Sequence, residues 1–290
     1  MRIIELYQNI SSRLSGVTNS EMESTAEAEL ILSSSLASVY FSKKFSKELL
    51  YGSMMNEKVS KDLESFIEYV ISKREQNIPL QYILNEAWFY GLKFFVYENE
   101  LLKTFIPRNE TEAIIQESLA FLSKRDKKVS ALDIGTGSGV IPISILVNSS
   151  LKLQWDAIDL YLTSIPLKNA EYHAVENQIN FMKYDISNYC SKNEKKFDLI
   201  TANLPYVPLE SQIDIQVRNE PIEAIYGGDD GLLYINEVLK ELPRILNDNG
   251  LVIFEIDPSQ NKFFQNLKLD YKIKILDDLQ GLPRIAMLHS

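Results

Sequence analysis

Ala131-Leu132-Asp133-Ile134-Gly135-Thr136-Gly137-Ser138-Gly139-Val140 runs from apolar residues through an acid into three alternating glycines, the pattern of a strand entering a nucleotide-binding turn. The run from Val129 to Ile134 is short and almost wholly apolar, as a strand buried on both faces of a parallel sheet must be. A helix is predicted from Val140 to about Val147, with Pro142 in its first turn, where a missing N–H costs little. Alternate glycines let backbone pass close to a ligand and take up φ > 0 without a Cβ clash. Turns that hold a dinucleotide pyrophosphate space their glycines as G-x-G-x-x-G. Here the spacing is G-x-G-x-G, which points to an adenosine ligand without phosphate, although a tight strand-to-helix turn alone would also use these glycines.

A second apolar run, Leu153 to Ile158, closes on Asp159, roughly 20 residues past the glycines, where an acid can accept both ribose hydroxyls. Together these stretches resemble the S-adenosylmethionine site of Rossmann-like methyltransferases. The resemblance implies that Asp133, Gly135, Thr136, Gly137 and Gly139 hold the methionine part of that cofactor and Asp159 its ribose. Asp185 follows a third run, Ile179 to Tyr184, and is placed to reach the adenine amine. An Asp at a strand end also simply begins a turn.

Phe197 to Ala202 reads as the fourth strand and delivers Asn203-Leu204-Pro205-Tyr206 to the sheet edge that carries the glycine turn. An amide or aromatic amine nitrogen is a poor nucleophile because its lone pair is delocalised, so a site that methylates one must hold it tightly. The Asn203 side-chain oxygen accepts one N–H and the Leu204 carbonyl the other, drawing charge toward the nitrogen as it attacks. Pro205 fixes φ and forces Leu204 into an extended conformation. Tyr206 can pack on the planar group. No base is needed before attack, and positioning with preorganised dipoles supplies the main terms.

Around this tetrapeptide stand Pro79-Leu80-Gln81-Tyr82-Ile83, Trp88-Phe89-Tyr90-Gly91-Leu92, Ile106-Pro107-Arg108-Asn109-Glu110-Thr111-Glu112, and Glu220-Pro221 with Gly227-Gly228-Asp229-Asp230-Gly231-Leu232. The set resembles the release-factor glutamine methyltransferases, the PrmC/HemK family, and the likeness extends through most of the chain to Asp278-Leu279-Gln280-Gly281-Leu282-Pro283-Arg284. It implies methylation of the Gly-Gly-Gln glutamine of class-I peptide-chain release factors. It also implies an α/β fold of the class I methyltransferase kind: a mainly parallel seven-stranded sheet with a C-terminal antiparallel hairpin, preceded by a small helical bundle. Catalysis falls to Asn203, Leu204, Pro205 and Tyr206, with Asn203 also beside the cofactor. Arg108, Asn203, Pro205 and Tyr206 would meet substrate. The family usually has Pro where this chain has Leu204. Asn-Leu-Pro-Tyr also occurs in rRNA adenine dimethyltransferases, so an RNA substrate is the rival reading. A paralogue acting on another amide or amine, and a cofactor-binding regulator without turnover, are further alternatives.

Upstream, residues 1 to 80 show helical periodicity and form a candidate substrate-docking domain. Ile3, Leu6, Tyr7, Ile10 and Leu14 share one face, and Ala26, Leu30, Ser33 and Ala37 continue the period in a second segment. A third helix is predicted from about Lys43 to Met55. Ser60 caps a fourth, with Leu63, Phe66, Ile67, Val70 and Ile71 as its buried stripe. Residues 81–106 read as a hairpin connector and 107–290 as the cofactor-binding domain. Asn109 is expected to cap the next helix, with Glu112 completing a capping box. Downstream, Gly227 to Leu232 is turn chemistry. The helix after it, Gly231 to Leu246, should point Leu232, Leu233, Leu239, Leu242 and Leu246 inward. Gly250 turns the chain into the fifth strand, and Tyr271–Leu276 with Arg284–His289 closes the sheet.

The chain has 290 residues, 45% of them hydrophobic, enough for a full core. Its formal net charge of −10 argues against broad nucleic-acid binding, which needs a cationic surface. One cysteine, Cys190, means no internal disulfide. His173 and His289 have no Cys or His neighbours at ligand spacing, so neither a metal nor a thiol nucleophile is expected. There is no secretory h-region and no apolar run long enough for a bilayer, which predicts a cytoplasmic protein; a monomer is expected.

Overall fold

A computed structural model of the protein describes residues 1–40, 52, 56–126, 128–278 and 280–290, the side chains of 37–40 excepted. These residues form two compact units: Met1–Asn85 with Asp214–Asn219, and Glu86–Ile213 with Glu220–Ser290.

The larger unit opens with two hairpins. Strands β1 (Ala87–Phe89) and β2 (Leu92–Phe94) pair antiparallel around Tyr90 and Gly91, whose φ values are 51° and 72°. Two consecutive positive φ values are what a two-residue type I′ turn needs. Strands β3 (Tyr97–Asn99) and β4 (Leu102–Lys103) form the second pair. Between hairpin and sheet the structure departs from the predicted capping box. Asn109–Thr111 make a 3-10 turn ahead of the helix Glu112–Leu122, and no side chain caps it. Glu112 instead accepts the Tyr90 N–H at 2.8 Å, which ties down a residue held at positive φ.

Seven strands follow: β5 (Val129–Ile134), β6 (Leu153–Asp159), β7 (Ile179–Lys183), β8 (Phe197–Ala202), β9 (Leu246–Glu255), β10 (Lys272–Asp277) and β11 (Pro283–His289). Among the described residues they form one sheet in the order β10-β11-β9-β8-β5-β6-β7. Strands β5 to β9 are parallel, and β11 runs antiparallel to both β9 and β10. Parallel neighbours need long crossovers, supplied here by the helices Val140–Asn148, Ile165–Tyr172, Ile186–Lys192 and Leu233–Ile245. Strand β5 pairs with β6 on one side and β8 on the other, so the order reverses at β5. In open α/β sheets the crevice beyond the carboxyl ends of the strands at such a reversal is where ligands bind.

Alternation along the strands fills two cores. Ala131, Trp155, Leu199 and Ile253 pack on one face of the sheet, while Leu132, Ile158, Ile200 and Val252 pack on the other. The predicted turn at Gly250 is visible as a slip in register: Phe197 opposes Leu246, but Leu199 opposes Leu251. One stripe is misphased. The helix Leu233–Ile245 buries Ile235, Val238, Leu239, Leu242 and Ile245. Leu233 is exposed, because it starts the helix beside Gly228 rather than on its core face.

The smaller unit contains the helices Ile3–Leu14, Glu21–Tyr40, Lys61–Arg74 and Leu80–Leu84. Ile3, Leu6, Ile10 and Leu14 are buried as expected, and Ser60 accepts the Leu63 N–H at 3.2 Å. The second helix is rotated from the predicted face: Ser24, Ala28, Ile31, Leu32, Ser35 and Leu36 are buried and Ala26 is exposed. Two serines can face inward because each hydroxyl donates within its own helix, Ser24 to Glu21 and Ser35 to Ile31. Phe66 is exposed, and Arg74 is fully buried against Glu27. The predicted helix from Lys43 to Met55 lies outside the described residues.

Candidate functional site

At the carboxyl end of β5 the chain turns sharply. The N–H groups of Gly135 and Thr136 both donate to Ile158 O, at 2.9 and 3.1 Å. Gly135, Gly137 and Gly139 have φ of 75°, 53° and 79°, which L side chains rarely adopt. A Cβ on Gly135 would stand 3.0 Å from Leu204 Cδ2 and 3.2 Å from Asn203 O, while one on Gly137 would meet nothing within 4 Å. The cofactor turn is thus pressed against the 203–206 loop at Gly135 and open at Gly137.

Asp133 is fully buried. Its Oδ1 accepts from Thr201 Oγ1 at 2.7 Å, whereas Oδ2 and the buried Thr136 Oγ1 have no partner at full hydrogen-bonding geometry, although Thr136 is near enough to favour the Asp133 carboxylate. Burial pushes the Asp133 carboxyl up to about 6. Asp159 holds the turn from the next strand: Oδ2 accepts the Gly137 N–H at 2.9 Å and Oδ1 the Tyr161 N–H at 2.8 Å. Burial raises this carboxyl too. Each Asp159 oxygen keeps a further lone pair for a hydroxyl. Buried polar atoms are nearly always paired. A carboxylate oxygen and a hydroxyl left unpaired in one turn, with open space over its middle glycine, fit the polar end of S-adenosylmethionine.

The loop leaving β8 is built differently. Asn203 Nδ2 donates to Thr111 Oγ1 at 3.0 Å and to Glu255 Oε2 at 2.9 Å. Thr111 Oγ1 donates to Glu255 Oε2 at 2.5 Å, and Tyr206 Oη donates to Glu255 Oε1 at 3.2 Å. Among the described residues no hydrogen bond reaches Asn203 Oδ1, the one amide atom the side chain still has to offer. Leu204 buries its side chain in the core beneath. Gly227 and Gly231 explain the glycine cluster: a Cβ there would fall 2.3 Å from Pro205 O and 2.1 Å from Tyr206 O. Those two backbones approach the acceptor loop too closely for any side chain. Val207 N donates to Ile225 O and Gly227 N to Val207 O, stitching the loop in place.

Two further predicted residues have local partners. Arg108 pairs with the buried Glu220 and stacks its guanidinium 4.6 Å over the Phe105 ring. Glu220 Oε2 also accepts the Ile106 N–H at 2.9 Å. Asp185 caps the helix Ile186–Lys192 and directs both oxygens to Asn188, the turn role its position also allowed. Three residues were not singled out from sequence: Thr111, Glu255 and Asn169. Buried Asn169 pairs with the Phe95 N–H and C=O at 2.7 and 2.9 Å and donates to Ser138 O at 2.9 Å. It thereby anchors the glycine turn to the chain between the hairpins. Among the described residues no cluster of metal-binding side chains occurs, and no helix is long and apolar enough to cross a membrane.

The fold and this pair of loops define a class I methyltransferase that uses S-adenosylmethionine. The family model described as Methyltransferase small domain matches residues 115–224. A release factor glutamine methyltransferase from Flavobacterium psychrophilum is 36% identical over 238 residues, 77% of this chain and 79% of that protein. One from Bacillus cereus is 31% identical over 242 residues, 80% and 83% respectively. The crystal structure of a ribosomal protein L11 methylase from Lactobacillus delbrueckii subsp. bulgaricus has 23% identity and a TM-score of 0.42, covering 64% of this chain and 80% of that one. The chain belongs to the release factor glutamine methyltransferase family.

Proposed function

We propose that this chain transfers a methyl group from S-adenosylmethionine to the side-chain amide nitrogen of a protein glutamine, that of the Gly-Gly-Gln motif in class-I peptide-chain release factors. The observation that carries the reading is the Asn203 amide, whose Nδ2 is held by Thr111 and Glu255 so that Oδ1 is left as an acceptor. The relatives' names supply the release factor.

Asp133 Oδ2, Thr136 Oγ1 and the backbone at Gly135, Gly137 and Gly139 are the groups that would hold the methionine end of the cofactor, and Asp159 its ribose hydroxyls. The bound cofactor supplies a methyl carbon made electrophilic by its sulfonium sulfur. Asn203 Oδ1 accepts one amide N–H and the Leu204 carbonyl the other, so the acceptor nitrogen is fixed between two negative dipole ends where positive charge develops. Pro205 restricts the backbone that aims the Leu204 carbonyl, and Tyr206 packs on the planar amide. A nitrogen that has gained the methyl carbon is cationic, and its N–H proton then leaves to water without a dedicated base. Asp185, which caps the helix Ile186–Lys192, would reach the adenine amine with the lone pairs those bonds leave free.

Incubation of the protein with methyl-labelled S-adenosylmethionine and a release factor should place label on the Gly-Gly-Gln glutamine. Replacing that glutamine with leucine should abolish the label. A release factor that stays unlabelled while rRNA gains methyl groups would replace this reading with adenine methylation.

A further inference from the structure

An asparagine can offer either end of its amide. The oxygen accepts an N–H, whereas the nitrogen donates two. In a methyl-acceptor site the two orientations ask for opposite substrates, so something must choose between them. Strands β8 and β9 bring the chooser into place: Ala202 opposes Phe254, so Asn203 and Glu255 leave neighbouring strands at the same level. Glu255 is 2% exposed and Thr111 likewise.

Glu255 Oε2 lies 2.5 Å from the Thr111 hydroxyl and 2.9 Å from Asn203 Nδ2. A threonine hydroxyl has one proton, and here it is committed to the carboxylate. Its oxygen can therefore only accept, and it accepts from Asn203 Nδ2 at 3.0 Å. Tyr206 Oη donates to the other carboxylate oxygen. A carboxylate is an acceptor only, so it sets the sense of every bond in the group. Turning the Asn203 amide over would aim its oxygen at that carboxylate and at an oxygen with no proton to give, leaving buried acceptors unpaired.

We infer that Glu255, acting with Thr111, is a positioning residue for the transfer: it locks Asn203 with Oδ1 outward and so restricts the acceptor to a planar group that gives N–H. The inference rests on the function proposed above for the Asn203 loop. Alcohols, thiols and carboxylates, which lack the paired N–H of an amide, are poor acceptors for the same reason.

Glu255→Met keeps the length of the side chain and replaces both carboxylate oxygens with a weakly accepting thioether. With a release factor as substrate, kcat should fall by about tenfold or more, while S-adenosylmethionine binds as in the parent by calorimetry. Glu255→Gln keeps a carbonyl oxygen for Thr111 and Asn203 and turns its amine to the Tyr206 hydroxyl, so most of the rate should return. In an Asn203→Ala background Glu255→Met should cost no more than the few-fold that loss of the Tyr206 contact brings, since its main effect runs through that amide. Without any substrate, the Asn203 side-chain protons can be followed by NMR in isotope-labelled protein and assigned by their loss in Asn203→Ala. They should exchange faster with solvent in Glu255→Met, and in Thr111→Val should the methionine variant fail to fold.

Unchanged exchange in the variant that folds, a glutamine variant as slow as the methionine one, or a further loss of about tenfold or more in the Asn203→Ala background would each overturn the inference. A parent protein that leaves release factors unmethylated would instead overturn the proposed function. The exchange measurement would still stand, because it needs no acceptor.

Discussion

The turn at 133–139 and the loop at 203–206 leave adjacent parallel strands, β5 and β8, yet they are completed to different degrees. In the turn, Asp133 Oδ2 and Thr136 Oγ1 are buried without partners at full hydrogen-bonding geometry. In the loop, both Asn203 amide hydrogens and the hydroxyls of Thr111 and Tyr206 have theirs. A buried polar group left unpaired costs roughly 1–3 kcal/mol, which a ligand that pairs it gives back. In the proposed function the cofactor half would thus be completed by its ligand, and the acceptor half is built by the chain alone. The glycines divide in the same way. Those of the turn supply positive φ beside open space at Gly137, whereas Gly227 and Gly231 stand opposite the loop and make room for its carbonyls.

The largest test of this contrast is Asn203→Ala. It should lower the single-turnover rate by about two to three orders of magnitude, as removal of one preorganised hydrogen-bond partner does, and leave cofactor affinity by calorimetry unchanged. Lost cofactor binding would move Asn203 into the other half. Next come two glycines that should fail in opposite ways. A Cβ on Gly231 would fall 2.1 Å from Tyr206 O at a φ of 74°, so Gly231→Ala should cost about 2–4 kcal/mol of stability in denaturant melts and displace the acceptor loop. Gly137→Ala meets no atom within 4 Å and should cost only about 1–2 kcal/mol of backbone strain, yet it fills the space over the turn and should weaken the cofactor. Equal losses of cofactor from both variants would erase the distinction.

The pH dependence is smaller and has a definite sign. Burial pushes the Asp133 carboxyl up from its ordinary 3.8 to about 6, so the fold holds this proton more tightly than the unfolded chain does. The stability it brings is complete below pH 3.8 and is lost as pH rises through about 6. In the proposed function the methionine end of the cofactor, which carries an ammonium, would need the opposite, an ionised Asp133. Its affinity should therefore rise about tenfold between pH 5 and 7, following the ionised fraction, and the slope should vanish in Asp133→Asn. A slope that survives there would belong to Asp159, whose carboxyl is also raised by burial.

What could be read in the sequence follows the range of the interactions. The glycine spacing, the acids closing Val129–Ile134 and Leu153–Ile158, the tetrapeptide at 203 and the final hairpin are local patterns, and the structure places each at the sheet edge or in the strand expected. Glu255 closes an apolar strand as Asp133 and Asp159 do, so the same rule applied to Leu251–Ile256 would have found it. Thr111 carries no such mark. It matters because the fold sets it beside residues more than ninety positions away, and Asn169 matters because it mimics a strand partner for Phe95. The Arg108–Glu220 pair spans 112 positions and was equally invisible. Helix phase failed where serines turned inward, since hydropathy counts them as polar while the helix carbonyls pair their hydroxyls.

The smallest effect expected is that of Tyr206→Phe, and it is the most discriminating about how the acceptor half is held. The Tyr206 hydroxyl reaches Glu255 Oε1 at 3.2 Å, longer than the bonds from Thr111 and Asn203 to Oε2, and burial with the neighbouring carboxylate raises its pKa so that it stays protonated. Removing it leaves the Oε2 side intact and takes one donor from the carboxylate. A single neutral donor to a charged acceptor contributes about 1.5–3 kcal/mol in ordinary geometry. At this longer separation the loss should lie at or below that range and show mainly as stability, with kcat falling only a few-fold and the ring still able to pack on the acceptor amide. A collapse of kcat as deep as that of Asn203→Ala, with stability retained, would mean that the phenol itself acts on the acceptor group, and the division of labour between ring, amide and carboxylate would have to be redrawn.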